Sequence, residues 1–459
     1  MRRRMSGFAR QKPAGRLPPE LEEFLSRETY SLLIKGESGS GKTILAMTIL
    51  GRFRSSENML YLATRTSPHQ LAKDYPWIGK VAGLTTEPKR AGVADEGWDT
   101  LIDARLDEPG IVFERITNVL MDKHAPTVVV DSWEALSEAM DADALRTNIR
   151  VLQTWRERAG ARLIFVGEDK GNTAIDSVVD GVVTLSEQMY SGRRLREIFL
   201  SKLHGVKISR PSYYFSLENG LFHSFERQRP ADFGLSVQAR GKDVRGGVDR
   251  HHLTTGFRSL DEALDGGYPA KFVSWIEMDS KVDSRAVASF LSGTVREWAA
   301  SGRSVVLQKS GIGPFSLAQV RASLGSVASE KIIVWGPGSV GKSAKSDSTA
   351  DLRSKIADAK EAVLAVVDLD RIAESGQSLS PNELESLTEY LRGSAEFSIL
   401  VSRSKPAEQS LSGLVSAHIK VLEIDGTIFL MLEKPWSELY AMVPEERPAS
   451  APMQLERVV

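Results

Sequence analysis

The run GESGSGKT, residues 36–43, sets Gly36, Gly41, Lys42 and Thr43 at the spacing G-x-x-x-x-G-K-[ST]. Each residue type has a physical task at that spacing. Glycines let the backbone of Gly36, Glu37, Ser38, Gly39, Ser40 and Gly41 turn with its N–H groups inward, where they can cradle phosphate oxygens. Lys42 supplies a point charge for the terminal phosphates, and the Thr43 hydroxyl can ligate Mg²⁺. A helix starting near Lys42 would add the positive end of its dipole. Asp131 closes the apolar run TVVVD and suits a carboxylate that holds Mg²⁺ through water at a strand tip. Capping the following helix, SWEALSEAM, is its plainer alternative role. Lys42, Thr43 and Asp131 together predict a site for ATP and Mg²⁺.

These residues need a strand to enter the loop and a helix to leave it. SLLIK precedes the glycines, and TILAMTILGRF follows with apolar residues at helical spacing. Strand-like runs recur at 31–35, 59–63, 126–130, 162–166 and 181–185, and again at 272–276, 304–308, 363–367, 397–401 and 418–422. The separation of Lys42 from Asp131 is close to that of Ser284 from Asp368. Strands alternating with helical patterns predict an α/β fold of two tandem domains with mostly parallel sheets. The expected boundaries are a basic disordered tail over 1–16, an ATP-binding domain over 17–228, a Gly- and Arg-rich linker over 229–250, a second domain over 251–445 and a disordered tail over 446–459. Within the linker, FGLSV could pack as a short strand.

Composition narrows the chemistry. A formal net charge of −1 gives no global field for nucleic acid or an anionic membrane, so such binding would need a local patch. The absence of cysteine excludes disulfides, thiolate metal sites and cysteine catalysis. No apolar stretch approaches the ~20 residues of a membrane span. The basic N-terminus lacks the apolar core of a signal peptide, and a cytoplasmic protein is expected.

GPGSVGKS at 336–343 fits the same phosphate pattern but not its context. The apolar helix face is missing after it, and Asp368 follows Lys342 too closely for the intervening elements. It is read as a loop of the second domain. The repeat register instead sets IEMDSKVDSR, 276–285, in the equivalent place, with Met278 at the first glycine, Asp283 at the second, and Ser284 and Arg285 at the Lys-Thr pair. No glycine frees this backbone, and Asp279 and Asp283 would repel phosphates, so this domain is expected not to bind ATP. Asp368 and Asp370 are then read as solvated carboxylates at a strand end.

With these residues placed, the chain resembles the archaeal KaiC-like and GvpD-like branch of the RecA superfamily. TTGFRSLDEALDGGYPAKFVSWIE resembles the family's opening motif at Gly256, Leu260, Asp261, Leu264, Gly266, Gly267 and Pro269. SVVDGVVTL and RRLREIFLSKLHG are similar to its closing strands. The resemblance implies that both domains are RecA-like, the second degenerate by the loop residues above, and that paired glutamates which activate water follow the second strand of the first. Here YLATRTSP puts Arg65 and Thr66 at those places, and arginine cannot act as a base. The family's Lys-x-Arg-Gly hairpin, which reaches a neighbouring subunit's nucleotide, here reads Lys202, Leu203, His204, Gly205. Glu134 and Glu168 are the candidate replacement bases, Glu168 preferred because RLIFVGE ends at a strand tip; a polar surface role is the alternative for each.

Residues 1–16 carry six Lys/Arg and no acid, and Arg193, Arg194 and Arg196 cluster in SGRRLR. They read either as a contact to DNA or an acidic partner, or as a solubilising tail and a hairpin tip. Tyr213 and Tyr214 fit strand packing, and His251 and His252 fit a linker. The expected function is regulatory: ATP, slowly hydrolysed or not at all, switches contact with a protein partner such as a transcription regulator, with a homo-oligomer possible. A RecA-type DNA recombination or repair accessory and a scaffold with structural ATP are the alternatives.

Overall fold

The central parallel strands of the first unit are apolar along most of their length because both of their faces are covered. In β1 (Tyr30–Gly36), Leu32 and Ile34 point into one core with Leu45, Ile49 and Val129, while Leu33 points into the other with Leu60, Val130 and Phe165. This is the two-residue alternation of a strand packed between two helical layers. In this computed structural model the described residues are 15–52, 59–77, 101–171, 173–235, 251–336, 348–359, 361–374, 379–403, 411–444 and 453–459. The chain divides into one unit of residues 1–226 with 458–459 and another of residues 227–457.

The first unit has one nine-stranded sheet. Its remaining strands are β2 (Met59–Ala63), β3 (Leu101–Asp103), β4 (Thr127–Asp131), β5 (Arg162–Val166), β6 (Gly181–Tyr190), β7 (Arg193–Leu203), β8 (Ser212–Ser216) and β9 (His223–Ser224). Their order is β3-β2-β4-β5-β1-β6-β7-β8-β9, parallel from β3 to β6 and antiparallel beyond. The chain leaves β1 for β2 by crossing β5 and β4, so the carboxyl end of β1 opens onto a crevice where α/β sheets bind ligands.

The second unit opens with the short antiparallel pair β10 (His252–Leu253) and β11 (Tyr268–Pro269). Its sheet comprises β12 (Val273–Met278), β13 (Ser304–Gln308), β14 (Ile332–Trp335), β15 (Val363–Asp368), β16 (Phe397–Ser402), β17 (Ala417–Ile424), β18 (Thr427–Lys434), β19 (Tyr440–Pro444) and β20 (Met453–Arg457). The order β14-β13-β15-β16-β12-β17-β18-β19-β20 repeats that of the first sheet strand for strand. The register repeats too. Gly36 pairs with Leu185 as Met278 pairs with Val421, and Asp131 pairs with Val166 as Asp368 pairs with Val401.

Three expected segments differ. The disordered tail over 446–459 contains β20, which pairs antiparallel with β19 and buries Met453. Its alternation of Met453 and Leu455 with polar residues was hidden by the Pro- and Ala-rich composition before it. The expected linker begins in the core of the second unit, where Phe233 is buried and Leu235 packs beside it; residues 236–250, which include the end of FGLSV, lie outside the described residues. Arg16, assigned to the basic tail, donates its N–H to the Phe222 carbonyl at 3.0 Å. Residues 1–14 are outside the described residues, as are 337–343 of GPGSVGKS. No helix among the described residues is long and apolar enough to cross a membrane.

Candidate nucleotide-binding site

β1 runs into residues 36–41, and the helix Lys42–Arg52 leaves them. Gly39 at φ +83° and Gly41 at φ +101° take backbone conformations that L side chains avoid, and a Cβ on Gly41 would lie 2.7 Å from Leu217 Cδ1. Glu37, Ser38 and Gly39 are exposed at the tip of the turn, while Gly36 and Ser40 are buried. The buried Ser40 Oγ has no hydrogen-bond partner among the described residues. Lys42 folds back and donates to the carbonyls of Gly36 at 2.8 Å and Glu37 at 2.7 Å. Burial holds the pKa of its ammonium below the ordinary value, with Asp131, Glu134 and Glu168 acting in the opposite sense. A phosphate would compete with the two carbonyls for this cation.

Thr43 Oγ1 donates to Asp131 Oδ2 at 2.7 Å, so the helix start and the tip of β4 meet. Tyr61 on β2 donates its hydroxyl to the same oxygen at 2.5 Å. Burial, and then the Asp131 charge, push the Tyr61 phenol well above its usual pKa, so it stays a donor. Sequence reasoning missed Tyr61; the tyrosine in MLYLA has no motif to mark it. Tyr61→Phe is expected to cost the first unit about 1.5–3 kcal/mol, the range for a buried hydrogen bond to a charged group. Chemical unfolding would measure this, and an unchanged midpoint would remove Tyr61 from the site's support.

No cluster of three or more His, Cys, Asp or Glu among the described residues could hold a metal ion by itself. The Thr43–Asp131 pair offers one hydroxyl and one carboxylate, the kind of oxygen ligands taken by a hard divalent cation that completes its shell with phosphates and water.

Glu168, beyond β5, lies opposite Arg65, beyond β2, and the two form an ion pair at 2.8 Å. The Arg65 hydrogen bond and charge hold the Glu168 carboxyl below its usual pKa. The Glu168 N–H donates to Glu134 Oε1 at 2.6 Å. Glu134 is buried, and its Oε2 has no hydrogen-bond partner among the described residues. It follows Trp133, whose ring packs edge-on against Phe113 and Phe165 and fixes the short helix Glu134–Ser137. The two candidate bases thus come together, one tied to an arginine and one enclosed.

The basic cluster divides. Arg193 and Arg196 are buried, which disfavours a DNA contact for them, and Arg193 opens β7 at the tip of the β6–β7 hairpin, the other of their two readings. Arg196 donates to the Gly39 carbonyl at 3.1 Å and pairs with Glu187 at 3.0 Å, so it braces the phosphate loop. Arg194 pairs with Glu187 at 3.0 Å at the strand surface. Lys202 donates to the Asp176 carbonyl of its own chain at 3.2 Å.

In the second unit Met278 falls where Gly36 stands, and Asp283 caps the helix Ser284–Ala300 by accepting the Arg285 N–H at 2.8 Å. Asp279 accepts the Lys281 N–H at 2.9 Å. Acidic side chains thus bind the very N–H groups a phosphate would need. Ser284→Lys with Arg285→Thr is expected to leave this unit unable to bind ATP, and strong binding there by calorimetry would overturn that reading. Asp368 is half-buried, and burial pushes its carboxyl pKa up, which corrects its reading as a solvated carboxylate.

Residues 24–227 match the family model described as ATPase: KaiC. Over 313 residues, 64% of this chain and 62% of the relative, the sequence is 25% identical to Protein GvpD2 of Halobacterium salinarum. Residues 24–227 thus form a KaiC-like ATPase domain by sequence, and the chain as a whole is similar to the GvpD proteins. This KaiC-like chain is also 24% identical over 294 residues to Protein GvpD1 of the same organism, covering 61% of the chain and 54% of the relative. Against the circadian clock oscillator protein KaiC of Thermostichus vulcanus it is 25% identical over 256 residues, covering 51% of the chain and 45% of the relative. The KaiC-like chain spans less than two thirds of the length of these relatives. Its two sheets are those of tandem RecA-like domains, the second degenerate at its loop. The KaiC family implies nucleotide binding with a divalent metal, which the loop, Thr43 and Asp131 are suited to provide.

Proposed function

We propose that the first domain binds ATP with Mg²⁺ and hydrolyses it slowly or not at all, so that occupancy acts as a signal. Residues 36–41 cradle the phosphates, Lys42 neutralises the terminal ones, and Thr43 and Asp131 hold the metal. The observation that carries this reading is the Arg65–Glu168 ion pair beside Lys42. The guanidinium takes the place of the family's base and weakens Glu168 as a substitute. A terminal phosphate would draw Arg65 away from Glu168, giving ATP a different affinity for two arrangements of the strand tips, which is what a switch requires. The output is contact with a protein partner in transcription or signalling, in the cytoplasm, by a chain that can assemble with copies of itself. The DNA-accessory reading is weakened by the burial of Arg193 and Arg196.

Phosphate release by the purified chain, measured beside ATP binding and at concentrations that permit oligomers, tests this. Bound ATP with release no faster than in Lys42→Ala is the expected result. Rapid Lys42-dependent turnover would make the protein a cycling ATPase and sink the proposal.

A further inference from the structure

The degenerate second unit keeps a cavity of about 300 Å³ at the carboxyl ends of its strands. That volume is at the lower end for small-molecule sites. Its floor is apolar, formed by Val287 and Leu291 of the helix Ser284–Ala300 with Ile312, Val366 and Val401. One wall is the loop through Gly313, where a Cβ would lie 2.9 Å from the Ser284 carbonyl oxygen and 3.2 Å from Ala288 Cβ. A side chain there would push the loop from the helix and change the cavity.

Charges are arranged around this floor. Asp368 Oδ1 accepts the N–H groups of Asp370 at 3.1 Å and Arg371 at 3.2 Å, while its second oxygen has no hydrogen bond among the described residues. Burial that raises the pKa of this carboxyl would be offset by a cation placed against it. Arg371 and Arg403 also line the space, with Asp370 and Glu374 beside them, and Arg371 pairs with Glu374 at 2.9 Å, so a ligand carboxylate would share that guanidinium. By register the two arginines stand where the first unit has Glu134 and Glu168. Two carboxylates have become two guanidiniums, and Asp370 holds the Arg403 N–H at 2.7 Å, fixing that backbone. A nucleotide does not suit the site, because Asp279 and Asp283 occupy the loop amides. A small molecule carrying both charges on an apolar body does.

We propose that this cavity binds a free α-amino acid with an apolar side chain, its ammonium on Asp368, its carboxylate toward Arg371 and Arg403, and its side chain among Val287, Leu291, Val366 and Val401. This is independent of the ATP reading of the first domain.

Saturation-transfer NMR and calorimetry on the full chain, with leucine, methionine and phenylalanine as probes, test it. At least one of the three is expected to bind. The tightest should weaken about tenfold or more in Asp368→Asn, as expected on losing an ion pair worth 1.4 kcal/mol. It should also weaken in Ala288→Phe, which fills the cavity from the helix. If leucine binds, 4-methylpentanoate, which lacks the ammonium, and isoamylamine, which lacks the carboxylate, should each bind about tenfold more weakly or worse. Binding of none of the three amino acids overturns the proposal. So does either analogue binding as tightly as leucine, or an affinity that neither variant changes. ATP binding in the first domain, measured on the same samples, separates failure here from failure of the ATP reading.

Discussion

Lys42→Ala is expected to weaken ATP binding by about 100-fold or more, since two charge-assisted contacts to the terminal phosphates at about 1.5–3 kcal/mol each would be lost. The empty protein should be little affected. Among the described residues Lys42 Nζ bonds only the carbonyls of Gly36 and Glu37, which lie in a turn whose tip is exposed to water. Calorimetry with ATP and Mg²⁺, beside thermal unfolding without them, separates the two effects. A variant that binds like the parent would move the phosphate cradle away from residues 36–43. One that unfolds without ligand would make Lys42 a structural residue.

The second large effect is a gain. Replacing Arg65 and Thr66 together by glutamate should raise phosphate release about 100-fold, the lower range for a well-placed general base. Both positions are exposed beyond β2, so neither change disturbs the core. Removing the guanidinium also frees Glu168 from the partner that holds its pKa down. If turnover stays at the parental level while ATP still binds, the missing base is not what limits the chemistry. The expected slowness would then come from elsewhere, such as His204 in place of the arginine of the family hairpin.

Much of this architecture is legible in the chain because it depends on local signals. The glycine spacing of 36–43, the apolar runs and the register between Lys42 and Asp131 are properties of adjacent residues, and they carry the tandem α/β reading. What could not be read depends on the sheet order. β2, β4 and β5 are neighbours in space, which brings Tyr61 to Asp131 and Arg65 to Glu168 across long stretches of sequence. SGRRLR looks like a surface patch until β6 and β7 fold it against the loop, where Arg196 finds Gly39. Asp368 looks solvated until its strand end is enclosed by Val366, Val401 and the helix beside them.

The Arg196 brace also bears on the entropy of binding. Its guanidinium is shared among the Gly39 carbonyl, the Glu187 carboxylate and the Val459 carbonyl, so the glycine-rich turn is tied to the β6–β7 hairpin before any phosphate arrives. A free turn of this composition would lose conformational freedom on closing around a ligand, and glycine has the most to lose. Here much of that ordering belongs to folding instead. Binding then draws less on the attraction between protein and phosphate, and more of that attraction is left to discriminate between nucleotides of different phosphate length.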